Sequence, residues 1–338
     1  VSDAGELHTL TALNITSISL NTTLVDYDIA GNNISHESSF VINGQTNLIV
    51  DAWLQTSHID TAYIADYTLD VRTLFLPTLR GYGAIKDLHI TMSMDENLLN
   101  MVSEIATADT TTLFSAAFDV KGKVVDLLYK WAGVDLVAVD SRGTEIDART
   151  IEFMEEFFGE EWVHNNSGIG STPNAEAGED LELVFDNLTQ QLINNILVQT
   201  NASSFYGDDA YYDINKGSIE NSTFSTLTVV GGASEGAIPS GANDLYVVSP
   251  DSGDATILEG GGADNLWFAG VSAEDIRFER VGYDLKIHHP NGVVTVTNQY
   301  KKDITANDGY FGYELETLTL EDGTVIDLLS NMIFEGTT

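Results

Sequence analysis

Carboxylates set close together are the most plentiful chemical resource in this sequence. Asp135, Asp140, Glu145 and Asp147 surround a glycine-containing loop between two predicted helices. Several carboxylates so near in sequence are what a hard cation recruits, with oxygens at ~2.4 Å from the ion. Asp147 also stands where it would cap a helix starting at Ala148, and capping and coordination are compatible. A second set, Asp51, Asp60, Asp66 and Asp70, is spread through an aromatic stretch with Trp53, Tyr63 and Tyr67. One reading makes it a ligand pocket: Asp51, Asp60 and Asp66 hold a cation, and Tyr63, Tyr67, Arg72 and Tyr82 touch the ligand. The other makes it core aromatics beside surface aspartates. Arg72, Arg80, Arg142 and Arg149 are then partners of nearby acids.

No catalytic set can be named with the same definiteness. Gly232-Ala233-Ser234-Glu235-Gly236 has the spelling of a nucleophile elbow, but Pro239 and Gly241 follow where that motif needs a helix. The seven histidines show no helical metal-binding pair. His288 and His289 fall in a predicted hairpin, where neighbours face opposite sides. No phosphate-binding glycine loop with its lysine is present. The sequence is therefore expected not to be an enzyme.

The chain has 338 residues, 43% of them hydrophobic, which suffices for a substantial core. Against 14 Lys and Arg stand 52 Asp and Glu, for a net charge of -38. The distribution is uneven: no Lys or Arg precedes Arg72, and only Lys216 lies between Arg149 and Arg277. Local ion pairs cannot neutralise most of this acid. Two alternatives remain, bound divalent cations or a solvated acidic surface of the halophilic kind. With no cysteine, oxygen ligands favour Ca²⁺ over zinc or copper. Nucleic acid is an unsuitable partner, because phosphate contacts need a basic face. No stretch approaches the ~20 apolar residues of a membrane helix, so direct membrane insertion is not expected. The first residues, Val1-Ser2-Asp3, show no signal peptide and no methionine, and read as the start of a piece excised from a larger multidomain chain.

The elements that must position these residues divide into three stretches, an α+β chain. Residues 1–75 read as β-rich: after a short helix from Ala4 to Leu13, the runs Thr16–Asn21, Ser39–Ile42 and Asn47–Leu54 are separated by Gly31-Asn32-Asn33 and Asn43-Gly44, an N-terminal antiparallel β meander. Residues 76–201 form a central helical segment, expected to make one unit with the first stretch. Val124, Leu127, Leu128 and Trp131 share a helical face, as do Ile151, Met154, Phe157 and Phe158, and Leu181, Val184, Leu188, Leu192 and Ile196. A polar, breaker-rich loop, 164–174, separates the last two. Residues 202–338 form an all-β region, with hairpins over Asp284–Thr297, turning at Pro290-Asn291-Gly292, and Leu315–Ile326, turning at Asp322-Gly323.

Within that last region, Gly241-Ala242-Asn243-Asp244-Leu245-Tyr246-Val247-Val248 and Gly260-Gly261-Gly262-Ala263-Asp264-Asn265-Leu266-Trp267-Phe268 resemble degenerate copies of the Ca²⁺-binding nonapeptide of RTX proteins. The segments from Val271, Tyr283 and Leu315 resemble the domain that often follows such repeats. Leu79–Gly83, Lys130–Val134 and Ser141–Arg149 are similar to segments upstream of RTX repeats in very large adhesins and iron-regulated RTX proteins. The resemblance implies a C-terminal all-β region with degenerate RTX-like turns, in which Asp244, Asp254 and Asp264 occupy the ligand positions for Ca²⁺. Neither copy carries a full repeat, so one or two isolated ions, or none, are expected rather than a long stack. The resemblance further implies type I secretion to the bacterial cell surface and a role in cell adhesion and biofilm. Its nearest likeness is to the module of ice-binding and host-binding adhesins that binds a peptide, or alternatively a glycan, on a partner cell surface. A self-cleaving module of some RTX proteins needs an Asp-Pro bond, which this chain lacks.

Overall fold

A computed structural model describes residues 8–53, 63, 65–163, 172–230, 241–249, 251–301 and 314–329. The chain is α+β and divides into two compact units, Val1–Asp60 and Thr61–Thr338. In the first unit, β1 (Ile15–Ile18), β2 (Thr23–Ile29), β3 (Asn32–Ile42) and β4 (Gln45–Trp53) make one antiparallel sheet. Strand β4 runs along one edge of β3, while β1 and β2 lie end to end along the other. Two-residue turns join β2 to β3 and β3 to β4. Ala30, Gly31, Asn43 and Gly44 all have positive φ, as a hairpin matched to strand twist requires. The expected meander is present, with β2 an additional strand. Residues 10–14 form turns rather than the end of a helix, and Asn14 has φ 55°, which no continuing helix accepts. Among the described residues of this unit, Ile34 is the one fully buried apolar side chain.

The second unit begins with α1 (Leu88–Met94), α2 (Glu96–Thr107), α3 (Thr110–Leu113), α4 (Val120–Ala132), α5 (Ala148–Phe158) and α6 (Ala175–Leu197). Aspartates start most of them: Asp95, Asp109, Asp119 and Asp147 accept hydrogen bonds from the first-turn amides of α2 to α5. A carboxylate there satisfies orphan N–H groups and meets the positive end of the helix dipole. Part of the acid excess is thus spent on capping. The face Val124, Leu127, Leu128 and Trp131 is buried, as are Ile151, Met154 and Phe157. Phe158 and Val184 are exposed instead. Helix α6 docks its first half through Phe185, stacked 5.7 Å from Tyr129 and edge-on to Phe153, so the face turns away from Val184.

After α6 come a small hairpin, β5 (Tyr211–Asp213) with β6 (Ser218–Glu220), and then β7 (Thr226–Val230), β8 (Asp244–Val248), β9 (Ala255–Leu258), β10 (Asn265–Phe268), β11 (Arg277–Val281), β12 (Asp284–His289), β13 (Gly292–Thr297), β14 (Thr317–Leu320) and β15 (Val325–Asp327). Strands β7, β8, β10 and β14 are parallel neighbours in one sheet, closed by antiparallel β15. Strand β9 joins a second sheet, β11-β12-β13-β9. The chain therefore passes from the first sheet to the second and back over β8, β9 and β10. Both expected hairpins are present, β12 with β13 and β14 with β15.

Alternation along the parallel strands explains how three layers hold together. Leu245, Val247 and Trp267 pack into the core shared with the helices. Tyr246, Val248, Leu266, Phe268, Leu318 and Leu320 pack with Ile257, Leu285, Ile287, Val294 and Val296 of the second sheet. All five residues of β8 are buried, as a parallel strand covered on both faces must be. Strand β7 is tied to α6: Gln190 Nε2 donates to the Leu227 carbonyl at 2.7 Å, and Leu227 N–H donates to Asn194 Oδ1 at 2.7 Å. Packing thus divides the chain after Asp60, whereas local pattern changes at 76 and 202. The helices and the C-terminal strands share a core.

Candidate metal centre

Four residues stand in register across the leading ends of the parallel strands. Thr226 pairs with Asp244, and the parallel register carries that row on to Asp264 before β10 and Glu316 before β14. Adjacent members are linked by hydrogen bonds. Thr226 Oγ1 donates to Asp244 Oδ1 at 2.7 Å. The Asp244 amide donates to Asp264 Oδ1 at 2.7 Å, and the Asp264 amide to Glu316 Oε2 at 2.7 Å. The side chain before each strand therefore receives the amide of the strand beside it, which fixes where these carboxylates lie.

Glu259 enters the same place from the end of β9. Its Oε2 accepts from the Tyr246 hydroxyl at 2.7 Å, and its Oε1 from the amides of Gly260 at 2.7 Å and Gly261 at 3.2 Å. The turn that follows depends on glycine: Gly262 has φ 145°, and a Cβ there would collide with the Ala242 carbonyl oxygen. Carboxylate oxygens of Asp244, Glu259 and Asp264 lie within 4.8 Å of one another, and all three residues are buried. This buried acidic triad can hold a metal ion.

Among the described residues, no Lys or Arg ion-pairs with Glu259, Asp264 or Glu316. Burial raises the Asp264 carboxyl to about 8, and the charges of Glu259, Glu316 and Asp244 add to the effect. Burial likewise raises Glu259 and Glu316, although backbone amides at both oppose it, and the Tyr246 phenol is raised by burial and by Glu259. Asp264 is 1% exposed, and its Oδ2 has no hydrogen-bond partner among the described residues. A buried carboxylate oxygen left unpaired costs about 1–3 kcal/mol, more when charged. A cation or a proton removes that cost.

No family model and no curated protein matches the chain. The reading of the site therefore rests on its own geometry.

The structure brings together two of the sequence-derived candidates, Asp244 and Asp264. Asp254 is not with them: it opens β9 in the other sheet, is exposed, and accepts the Val293 amide at 2.9 Å. Glu259 takes the third place. Around the helical loop, Asp135, Asp140, Glu145 and Asp147 are not drawn to one point. Asp135 pairs with Lys130 at 3.3 Å. Asp147 caps α5 and grips Arg149, with Nη2 to Oδ2 at 2.6 Å. Asp140 and Glu145 are exposed. Asp51, on β4, accepts from Ser35 Oγ at 3.1 Å and belongs to the first unit, while Asp66 is an exposed residue of the second. Asp60 lies outside the described residues, as does the Gly232–Gly236 string.

Of the ligand-contact candidates, Arg72 is held by Asp70 and Glu96 at 2.6 and 2.7 Å, and Tyr82 packs on Phe157 at 4.9 Å. Tyr63 and Tyr67 form a ring pair at 5.9 Å. His288 and His289 do face opposite ways: His288 meets Glu279, while buried His289 reaches the Gly253 carbonyl. The sequence reading missed Glu259 and Glu316. A signal for Glu316 existed, since Asp244-Leu245-Tyr246, Asp264-Asn265-Leu266 and Glu316-Thr317-Leu318 each put an acid two residues ahead of an inward apolar side chain. For Glu259 the only hint was its place beside three glycines.

Proposed function

We propose that this chain is a calcium-stabilised recognition module of a secreted, RTX-type bacterial adhesin. The observation that carries the reading is the buried triad Asp244, Glu259 and Asp264, with one Asp264 oxygen left unpaired. The donors are all hard oxygens, with no thiolate or imidazole among them, which suits Ca²⁺ better than zinc or copper. Asp244, Glu259 and Asp264 would hold the ion, with Glu316 beside them. A bound Ca²⁺ would supply positive charge among these carboxylates and tie the turn after β9 to the starts of β8 and β10. Passage of the strands between two sheets, with acids at the parallel strand starts, agrees with the RTX-like sequence of this region. The adhesin assignment, surface location and peptide or glycan ligand rest on that resemblance, on the acidic charge and on the lack of a nameable catalytic set.

The test is calorimetric. Titration of Ca²⁺ into chelator-treated protein should give saturable binding that Asp264→Asn abolishes, and Ca²⁺ should raise the melting temperature of the native chain alone. Identical melting with EDTA and with millimolar Ca²⁺ would end the reading. A scaffold without ligand is the second reading, favoured by the internal engagement of Arg72 and Tyr82. Peptide and glycan arrays separate the two. Retention that EDTA abolishes supports recognition, and Ca²⁺-dependent folding without retention leaves the scaffold.

A further inference from the structure

The first unit presents a strand edge that nothing in the described structure pairs. Strand β4 bonds β3 on one side, and among the described residues of the first unit no other backbone group bonds it. Its nine residues, Gln45–Trp53, are almost all exposed, with Leu48 at 58% and Trp53 at 65%. Natural sheets guard such edges with proline, lysine or a bulge. Strand β4 has no proline and no lysine, its register shift adds Ser35 to β3 instead, and its one charge is Asp51. With Ile34 the one fully buried apolar side chain among the described residues of the unit, this sheet gains little from a core of its own, and a narrow sheet so built favours further pairing.

The hairpin fixes which residues point outward. Ile42 pairs with Gln45 across the two-residue turn, so Gln45, Asn47 and Ile49 aim their backbone N–H and C=O at β3. Thr46, Leu48 and Val50 aim theirs at the open edge. A second β4, antiparallel and centred on Ile49, satisfies that parity: Leu48 meets Val50 of the other copy, and Thr46 meets Ala52. This register overlaps the whole strand. Asp51, the only charge on β4, then falls opposite the Asn47 amide rather than against its own copy. The register that would oppose the two Asp51 side chains overlaps only Ile49–Trp53.

We propose that two copies of this chain associate by pairing their β4 edges, with Ile49 at the two-fold axis. The sheet becomes continuous across the dimer. Edge pairing without a covered face falls short of the ~1,200 Å² typical of stable complexes, so association is concentration-dependent. At a net charge of -38 per copy, and with no Lys or Arg before Arg72, salt strengthens it by screening repulsion.

The chain has no cysteine, so a single introduced thiol reports one contact. At a non-hydrogen-bonded pair the Cα atoms are ~4.5 Å apart, within disulfide range, whereas Leu48 and its own copy sit on a diagonal of ~7–8 Å. Full-length Ile49→Cys in Ca²⁺ should therefore oxidise to a dimer at least roughly tenfold faster than Leu48→Cys or Val50→Cys. Sedimentation of the native chain should show dimer growing with protein and salt across the micromolar range. Val50→Pro, which removes an outward N–H, should stay monomeric with unchanged circular dichroism. A native chain that sediments as monomer throughout, or Ile49→Cys linking no faster than its neighbours, would overturn the proposal; the two readouts stand even if Val50→Pro fails to fold.

Discussion

Two acidic, glycine-bearing stretches of the second unit met different fates. Between α4 and α5, Asp135 and Asp147 pair with Lys130 and Arg149, and Arg142 of the same loop pairs with Glu155 inside α5. At the starts of β8, β10 and β14 no Lys or Arg among the described residues forms an ion pair with Glu259, Asp264 or Glu316, and in the sequence only Lys216 lies between Arg149 and Arg277. There the acids closed on one another, and burial drove their protonation upward. The contrast teaches that the number of carboxylates in a loop says little about a metal. The local supply of basic side chains decides whether those carboxylates are already neutralised.

The largest effect that would sharpen this contrast is chelation. Ligand present at about 1,000 times its dissociation constant stabilises the folded state by about 4 kcal/mol. Removing Ca²⁺ should then lower the melting temperature on the order of 10 °C, read by scanning calorimetry. The helical loop should be broken by a different cut. Arg142 reaches Glu155 with Nη1 to Oε2 at 2.5 Å, and their side chains are 10% and 17% exposed. Arg142→Met strands that carboxylate and should cost about 3 kcal/mol in denaturant unfolding. The loss should be the same with Ca²⁺ and with EDTA; a Ca²⁺-dependent loss would mean the loop holds an ion after all.

Most of the scaffold was legible from local pattern. The turn chemistry of Asn43-Gly44 and Asp322-Gly323 marked hairpins, and the spacing of Val124, Leu127, Leu128 and Trp131 marked the buried face of α4. The site was half legible. Asp244 and Asp264 lie in strand-start positions that a glycine-aspartate pattern announces. Asp254 shares that spacing, yet the chain crosses to the other sheet between β8 and β9, so every second turn faces away from the triad. Glu316 follows Asp264 by 52 residues and joins it only through the pairing of β10 with β14. Spacing along a chain cannot reveal such a neighbour. Val184 was misjudged for a related reason: helical periodicity identifies a face, but Phe185 and its aromatic partners choose which edge of that face is buried.

A third, smaller effect is the sign of a pH slope. In chelator, Asp264 keeps its proton in the folded state up to about 8, whereas the unfolded chain releases it in the ordinary carboxylate range. The stabilisation this proton gives is complete below that range and lost as pH climbs toward 8, by at most ~1.4 kcal/mol per pH unit for one proton. In saturating Ca²⁺ the ion takes the proton's place, so above the ordinary carboxylate range neither the folded nor the unfolded state carries that proton, and stability should be flat over the same interval. Urea unfolding at a series of pH values, with and without Ca²⁺, reads both slopes. Asp264→Asn should flatten the slope in chelator; an equally falling slope with and without Ca²⁺ would show that the triad carries protons only.

The smallest effect belongs to the residues that sequence alone placed first. Asp140 and Glu145 are exposed, and the one side-chain bond to either is a 3.4 Å contact from Thr144 to Glu145. Solvent already meets the hydrogen-bonding needs of such carboxylates, so their charge contributes little to folding. The paired substitution Asp140→Asn with Glu145→Gln should shift unfolding by no more than about 0.5 kcal/mol. It should also leave the Ca²⁺ stoichiometry untouched. Because it removes two negative charges, it controls for any general relief of repulsion that Asp264→Asn produces by lowering net charge alone. If the surface pair weakened Ca²⁺ binding as strongly as Asp264→Asn does, long-range charge rather than the buried triad would be governing the ion, and the contrast between the two regions would collapse.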